Sequence, residues 1–196
     1  MKNQSKRLAV AFFAATGLLC APAAFAHTFG AHGAGFAEGL AHPFLGLDHL
    51  LAILAVGVWA AQLGGAALWR VPAAFLAALV AGAWLADFFV DAAVWLETAI
   101  GASVLALGLL LAFAPRLPTW TAMLAVALFA SFHGCAHGLE MPQAATPVAY
   151  GLGFLSATAS LHLLGVVLGL ALGRVRLAAR AGGVAIAAAG WLILAV

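Results

Sequence analysis

Six stretches of this 196-residue chain are apolar for about 20 residues each, long enough to cross a hydrocarbon core about 30 Å thick as helices. They cover residues 43–62, 71–90, 93–114, 119–138, 147–172 and 178–196. A segment surrounded by lipid must satisfy its own backbone, which leaves helices or closed barrels. Solid apolar runs, rather than short alternating ones, exclude the barrel. Composition agrees: 66% of residues are hydrophobic and 7% charged, against about half and about a quarter in a soluble domain. The expectation is one all-α domain, residues 27–196, a polytopic transmembrane bundle of about six helices with no evident internal repeat. Pro43, Pro72, Pro115, Pro118, Pro142 and Pro147 fall at or near span ends, where proline is tolerated best.

Residues 1–26 read as a cleaved signal peptide. Lys2, Lys6 and Arg7 are followed by an apolar core from Leu8 to Leu19 and by Ala24-Phe25-Ala26, an A-x-A cleavage site. Cleavage there leaves His27 at the mature N-terminus. The apolar core is short for a retained anchor, and Leu19 before Cys20 argues against a lipoprotein signal. Export places the mature N-terminus outside. The loops then alternate: Arg70, Arg116 and the group Arg174, Arg176 and Arg180 fall inside, while Asp87, Asp91 and Glu140 fall outside. That distribution obeys the positive-inside rule and puts both ends outside. The basic residues are scattered and form no patch for nucleic acid. Two cysteines make no disulfide framework, and no ATP-binding motif is present.

Ionisable groups inside spans cost about 2.5–3.5 kcal/mol each on insertion scales and mark function by default. This chain carries many. His42, Asp48 and His49 belong to the first span, and Phe132 to Glu140 closes the fourth as Phe-His-Gly-Cys-Ala-His-Gly-Leu-Glu. Glu97 opens the third span and His162 lies inside the fifth. His133 and His137 are four apart and share a helical face, which Glu140 continues if the helix persists. His42 and His49 are two turns apart and align if their helix starts at Pro43. Asp48 can ligate directly, or accept a hydrogen bond from a ligand histidine and fix its tautomer.

Helix rise converts position into depth. His49 and His133 lie about 9 Å from the outer surface, Glu97 about 6 Å, and His162 about 22 Å, toward the inner side. Two motifs and one carboxylate are thus expected at one outer level, with His162 as a second station on a path inward. His27, His32 and Glu38, ahead of the first span, are candidates for collecting metal outside; a free His27 amine and imidazole would chelate as a pair. Imidazole with carboxylate suits divalent Ni, Co, Zn, Cu or Fe better than Mg or Ca. Cu(I) is poorly served, because only Cys135 and Met141 offer sulfur nearby. Gly101, Gly108, Gly165, Gly169 and Gly173 read as close helix contacts, and Trp69, Trp95 and Trp120 as interfacial residues.

The two motifs, H-x5-D-H at His42, Asp48 and His49 and F-H-G-x-[AV]-H-G-x-E from Phe132 to Glu140, resemble those of the HupE/UreJ family of nickel and cobalt permeases. The resemblance extends over essentially the whole mature chain, including the fifth-helix run from Gly153 to His162. It implies secondary uptake of Ni²⁺, or Co²⁺ in some members, at a bacterial-type cytoplasmic (inner) membrane. It also implies that His42, Asp48, His49, His133, His137 and Glu140 are the functional metal residues. His27, His32, Glu97 and His162 are secondary candidates. The ion is then cargo, no separate cofactor is expected, and the partners are the divalent ion and the bilayer. The ligand set alone would also serve a metal-dependent intramembrane hydrolase, with Zn²⁺ on three histidines and Asp48 or Glu140 as general base. Neither a nucleophile motif nor H-E-x-x-H supports that alternative. A metal sensor or assembly chaperone would need a soluble signalling domain.

Overall fold

A computed structural model of the chain describes residues 35–141, 146–173 and 176–195. The signal peptide with its cleavage site, His27, His32, Pro142 and Arg174 lie outside the described residues. All regular structure among the described residues is helical. A short helix α1 (Phe36–Ala41) runs into a 3₁₀ turn (His42–Phe44). There follow α2 (Leu47–Leu63), α3 (Ala67–Trp84), a 3₁₀ segment (Ala86–Ala92), α4 (Ala93–Phe113), α5 (Thr119–Glu140), α6 (Pro147–Leu172) and α7 (Arg176–Leu194). Five of these helices are long and apolar enough to cross a membrane, and the bent pair Phe36–Phe44 with Leu47–Leu63 makes a sixth by the same measure. The chain is therefore a multi-pass membrane protein.

The first span differs from its expectation. A continuous helix from Pro43 to Gln62 is replaced by two pieces meeting at 82°. Gly46, with φ −105° and ψ 123°, is extended and breaks the helical register between His42 and His49. The second span also differs. Its helix starts at Ala67, so Pro72 lies inside it, and Arg70 sits exposed in the helix rather than in a loop. The Arg70 guanidinium lies over the Trp69 ring, 5.2 Å from its centroid, as a snorkelling cation at a span end does. The tight link before it uses positive φ at Gly64 and Gly65, 73° and 53°, which glycine adopts without steric cost. At the other end α3 stops at Trp84, leaving Asp87 and Asp91 exposed in the 3₁₀ connection. The later spans match more closely. Pro118 caps α5, with the Thr121 hydroxyl donating to its carbonyl at 2.6 Å. Pro147 opens α6, where its missing N–H would be unpaired anyway.

α2 is the central helix. Every residue from Leu50 to Ala60 except Leu54 is buried, the signature of a helix covered on all sides. It packs against α6, α4 and α3, while α3 pairs with α5 and α4 with α7. Lipid offers no hydrophobic drive for these contacts, so close backbone approach and dispersion must hold them. Gly57 of α2 and Gly165 of α6 face each other; a Cβ at Gly57 would meet the His162 carbonyl oxygen and the Gly165 Cα. Hydroxyls inside the spans serve the backbone instead of neighbours. Ser131, Ser156, Thr158 and Ser160 each donate to the carbonyl four residues earlier. Exposed Trp84 and Trp95 stand at one end of the bundle and Trp69 and Trp120 at the other, as interfacial belts require.

Candidate metal site

Three elements bring the histidines together at the end of the bundle where α2 begins and α5 ends. His42 comes from the 3₁₀ turn, His49 from the first turn of α2, and His133 and His137 from successive turns of α5. The His137 ring centroid lies 4.3 Å from that of His49 and 4.8 Å from that of His42. His49 lies 5.2 Å from His133 and 6.3 Å from His42. The break at Gly46 thus achieves what the expected two-turn alignment was meant to achieve, by folding His42 back over the start of α2. Helix α5 continues to Glu140, so His133, His137 and Glu140 do follow one face. His42, His137 and Glu140 can each offer a ligand atom with all three atoms within 4.8 Å of one another.

Hydrogen bonds decide which nitrogens are available. The Asp48 carboxylate lies 2.8 Å from His49 Nδ1. An acceptor there places the proton on Nδ1 and leaves the Nε2 lone pair open. His133 repeats the arrangement, with Nδ1 donating to the Phe129 carbonyl at 2.9 Å. Such outer bonds are the usual way a metal-ligating histidine is held in its tautomer. The Nε2 atoms of His49, His133 and His137 are buried and have no hydrogen-bond partner among the described residues. Burying an imidazole nitrogen without a partner is costly. Three within one cluster form a site whose stabilising partner is an electrophile. The Asp48–His49 bond has the geometry of the second of the two roles expected for Asp48.

The remaining candidates are placed elsewhere. Glu97 is exposed on α4 and is not part of the His42, His137 and Glu140 group. Depth along a span says nothing of which side of its helix faces inward. His162 is 2% exposed on α6, further along the bundle interior, with its ring against Phe75.

Sequence reasoning missed the aromatic wall. Phe154 lies 4.6 Å from His137 and 5.7 Å from His42, and Tyr150 lies 5.9 Å from His42, as ring centroids. Phe75 lies 6.2 Å from His133. An aromatic in an apolar helix carries no signal of its own, so only proximity identifies these three. A cleft of about 230 Å³ reaches His137 between α3, α5 and α6, bordered by Ala83, Gly138, Tyr150 and Phe154 among others. Gly46 was missed as well: a Cβ there would come within 2.7 Å of His49 Nδ1 and 2.8 Å of Asp48 Oδ1. Only glycine leaves room for the Asp48–His49 pair.

Comparison with known proteins agrees with this geometry. The family described as HupE / UreJ protein matches residues 14–193. Protein HupE of Rhizobium leguminosarum bv. viciae is 45% identical over 173 residues, covering 87% of this chain and 90% of that protein. No solved structure gives a significant match. A match over nearly the full length, with both histidine motifs on one buried cluster, shows that the chain belongs to the HupE/UreJ family.

Proposed function

We propose that this protein is a permease that takes up a divalent transition-metal ion, Ni²⁺ or Co²⁺, across a bacterial-type cytoplasmic membrane. The single observation that carries the reading is the set of three buried, unpartnered Nε2 atoms on His49, His133 and His137. Family membership supports transport as the use of that set. The orientation rests on the basic residues. Arg70, Arg116 and Arg180 stand at the bundle end opposite the histidines, and with that end inside, the cluster faces outward. The ion then reaches the cluster from the outer side, and His42 and Glu140 replace part of its water as it meets the imidazoles. Conduction needs ligands that bind firmly enough to admit the ion and weakly enough to release it. Neutral imidazoles that each contribute one bond fit that requirement better than a closed cage of carboxylates. The ion is cargo rather than cofactor, and its gradient, the membrane potential or sequestration inside supplies the drive.

The test is transport by purified protein in liposomes. Ni²⁺ or Co²⁺ should accumulate in the lumen with wild-type protein and not with His133→Ala. An intramembrane hydrolase holding Zn²⁺ on the same residues would leave the lumen empty of metal, and that result would sink the permease reading.

A further inference from the structure

Among the described residues, His162 is the one fully buried histidine outside the outer cluster. It is 2% exposed, and neither ring nitrogen has a hydrogen-bond partner among the described residues. Thr158, one turn before it and 0% exposed, is by contrast served, donating to the Phe154 carbonyl at 2.9 Å. An imidazole with both nitrogens idle adds nothing to packing that leucine would not add more cheaply, so its retention needs a different partner.

Its position is informative. Phe154 marks the level of His42 and His137 on α6, and His162 is eight residues further, about 12 Å inward at the helical rise. On α5, His133 is one turn inward of His137, about 6 Å. His137, His133 and His162 therefore descend in comparable steps. The Phe75 ring, 1% exposed, stands between the last two: its centroid is 6.2 Å from His133 and 5.0 Å from His162, edge-on to the latter at 80°. Gly57 supports the same level from α2, because its side-chain position is filled by the His162 carbonyl.

We infer that His162 is a second metal-binding station, inward of the outer cluster across the ring of Phe75, and that the ion reaches it by exchanging His133 for His162. The station deepens the permease reading and rests on it. A free nitrogen binds the ion, the Thr158 oxygen retains lone pairs on the same helical face, and Phe75 keeps the two stations from merging into one deep trap. A single site holding the ion with all ligands at once would release it slowly; two weaker sites in series pass it on.

The experiment uses Ni²⁺ and Co²⁺ as probes and the full chain in detergent and in liposomes. His162→Leu should lower maximal Ni²⁺ uptake about tenfold or more, while Ni²⁺ binding to the outer cluster persists. In a Cys20→Ala, Cys135→Ala background, which removes both native cysteines, His162→Cys should recover part of that uptake and give a thiolate-to-cobalt charge-transfer band with Co²⁺. Wild-type uptake by His162→Leu, or no thiolate band from a folded His162→Cys protein, overturns the station. If His162→Leu does not fold, the band alone decides. If wild-type protein binds metal but moves none into liposomes, the permease reading fails, while the band still reports on the station.

Discussion

Asp48 and His49 are neighbours in sequence whose side chains are bonded to each other, carboxylate Oδ1 to imidazole Nδ1 at 2.8 Å, across the first turn of α2. Adjacent helical residues ordinarily point about 100° apart, and a side chain at Gly46 would crowd the pair, whose two atoms lie within 2.8 Å of its Cβ position. The bond turns one of two equivalent tautomers into the one that presents Nε2 to the cluster.

Asp48→Asn keeps the size and removes the charge that holds the Nδ1 proton. Loss of such an outer partner costs about 10–100-fold in metal affinity or activity. Equilibrium dialysis of purified protein with Ni²⁺ should show a weakening in that range with helicity unchanged. Affinity equal to wild type would show that the pair does not orient the ligand.

Gly46→Ala is compatible with the backbone, since φ −105° and ψ 123° suit any residue. Its methyl carbon would instead displace His49 and Asp48, which lie within 2.8 Å of that position. The expected result is a protein of normal stability whose Ni²⁺ binding falls as it does in Asp48→Asn. The double variant should be little worse than either single one, because both act on the same pair. Additive losses in a double-mutant cycle would separate the two residues.

His137 touches His42, His49 and Phe154, whereas His133 touches His49 and Phe75. His137 also belongs, with His42 and Glu140, to a group whose ligand atoms lie within 4.8 Å of one another. His137→Ala should therefore weaken Ni²⁺ binding more than His133→Ala. Dialysis on the two variants side by side checks this, and equal losses would place the ion between the histidines rather than nearer the His42 end.

The α2–α6 contact depends on Gly57. Gly57→Leu forces side-chain atoms onto the His162 carbonyl and the Gly165 backbone, and overpacking of this kind costs about 1–3 kcal/mol. Gly151, on the same partner helix, has nothing within 4 Å of its Cβ position, so Gly151→Ala should lose no stability. Unfolding in mixed micelles titrated with sodium dodecyl sulfate would rank the two, and equal stability would refute the close-contact account.

The number and class of the helices were legible in the sequence because bilayer thickness is fixed and lipid admits no unsatisfied backbone. The run from Pro147 to Leu172 needed nothing more, and α6 occupies the same residues. The face shared by His133, His137 and Glu140 was legible too, because helical periodicity is local. The second span was less so. Pro72 reads as a boundary, yet the helix begins at Ala67 and carries the proline inside it, where the Leu68 carbonyl loses its usual N–H partner.

What the sequence by itself determined is depth: which residues can stand at the same level of the membrane. Azimuth and bending were decided by tertiary structure alone. Glu97 is exposed on its helix, while Phe75, Tyr150 and Phe154 carry no mark in the sequence and turn inward. The 82° break at Gly46 could not be read from hydropathy, because an apolar run has the same average whether straight or bent. Spacing along a helix fixes relations within that helix; which faces meet across helices depends on packing against neighbours that lie dozens of residues away.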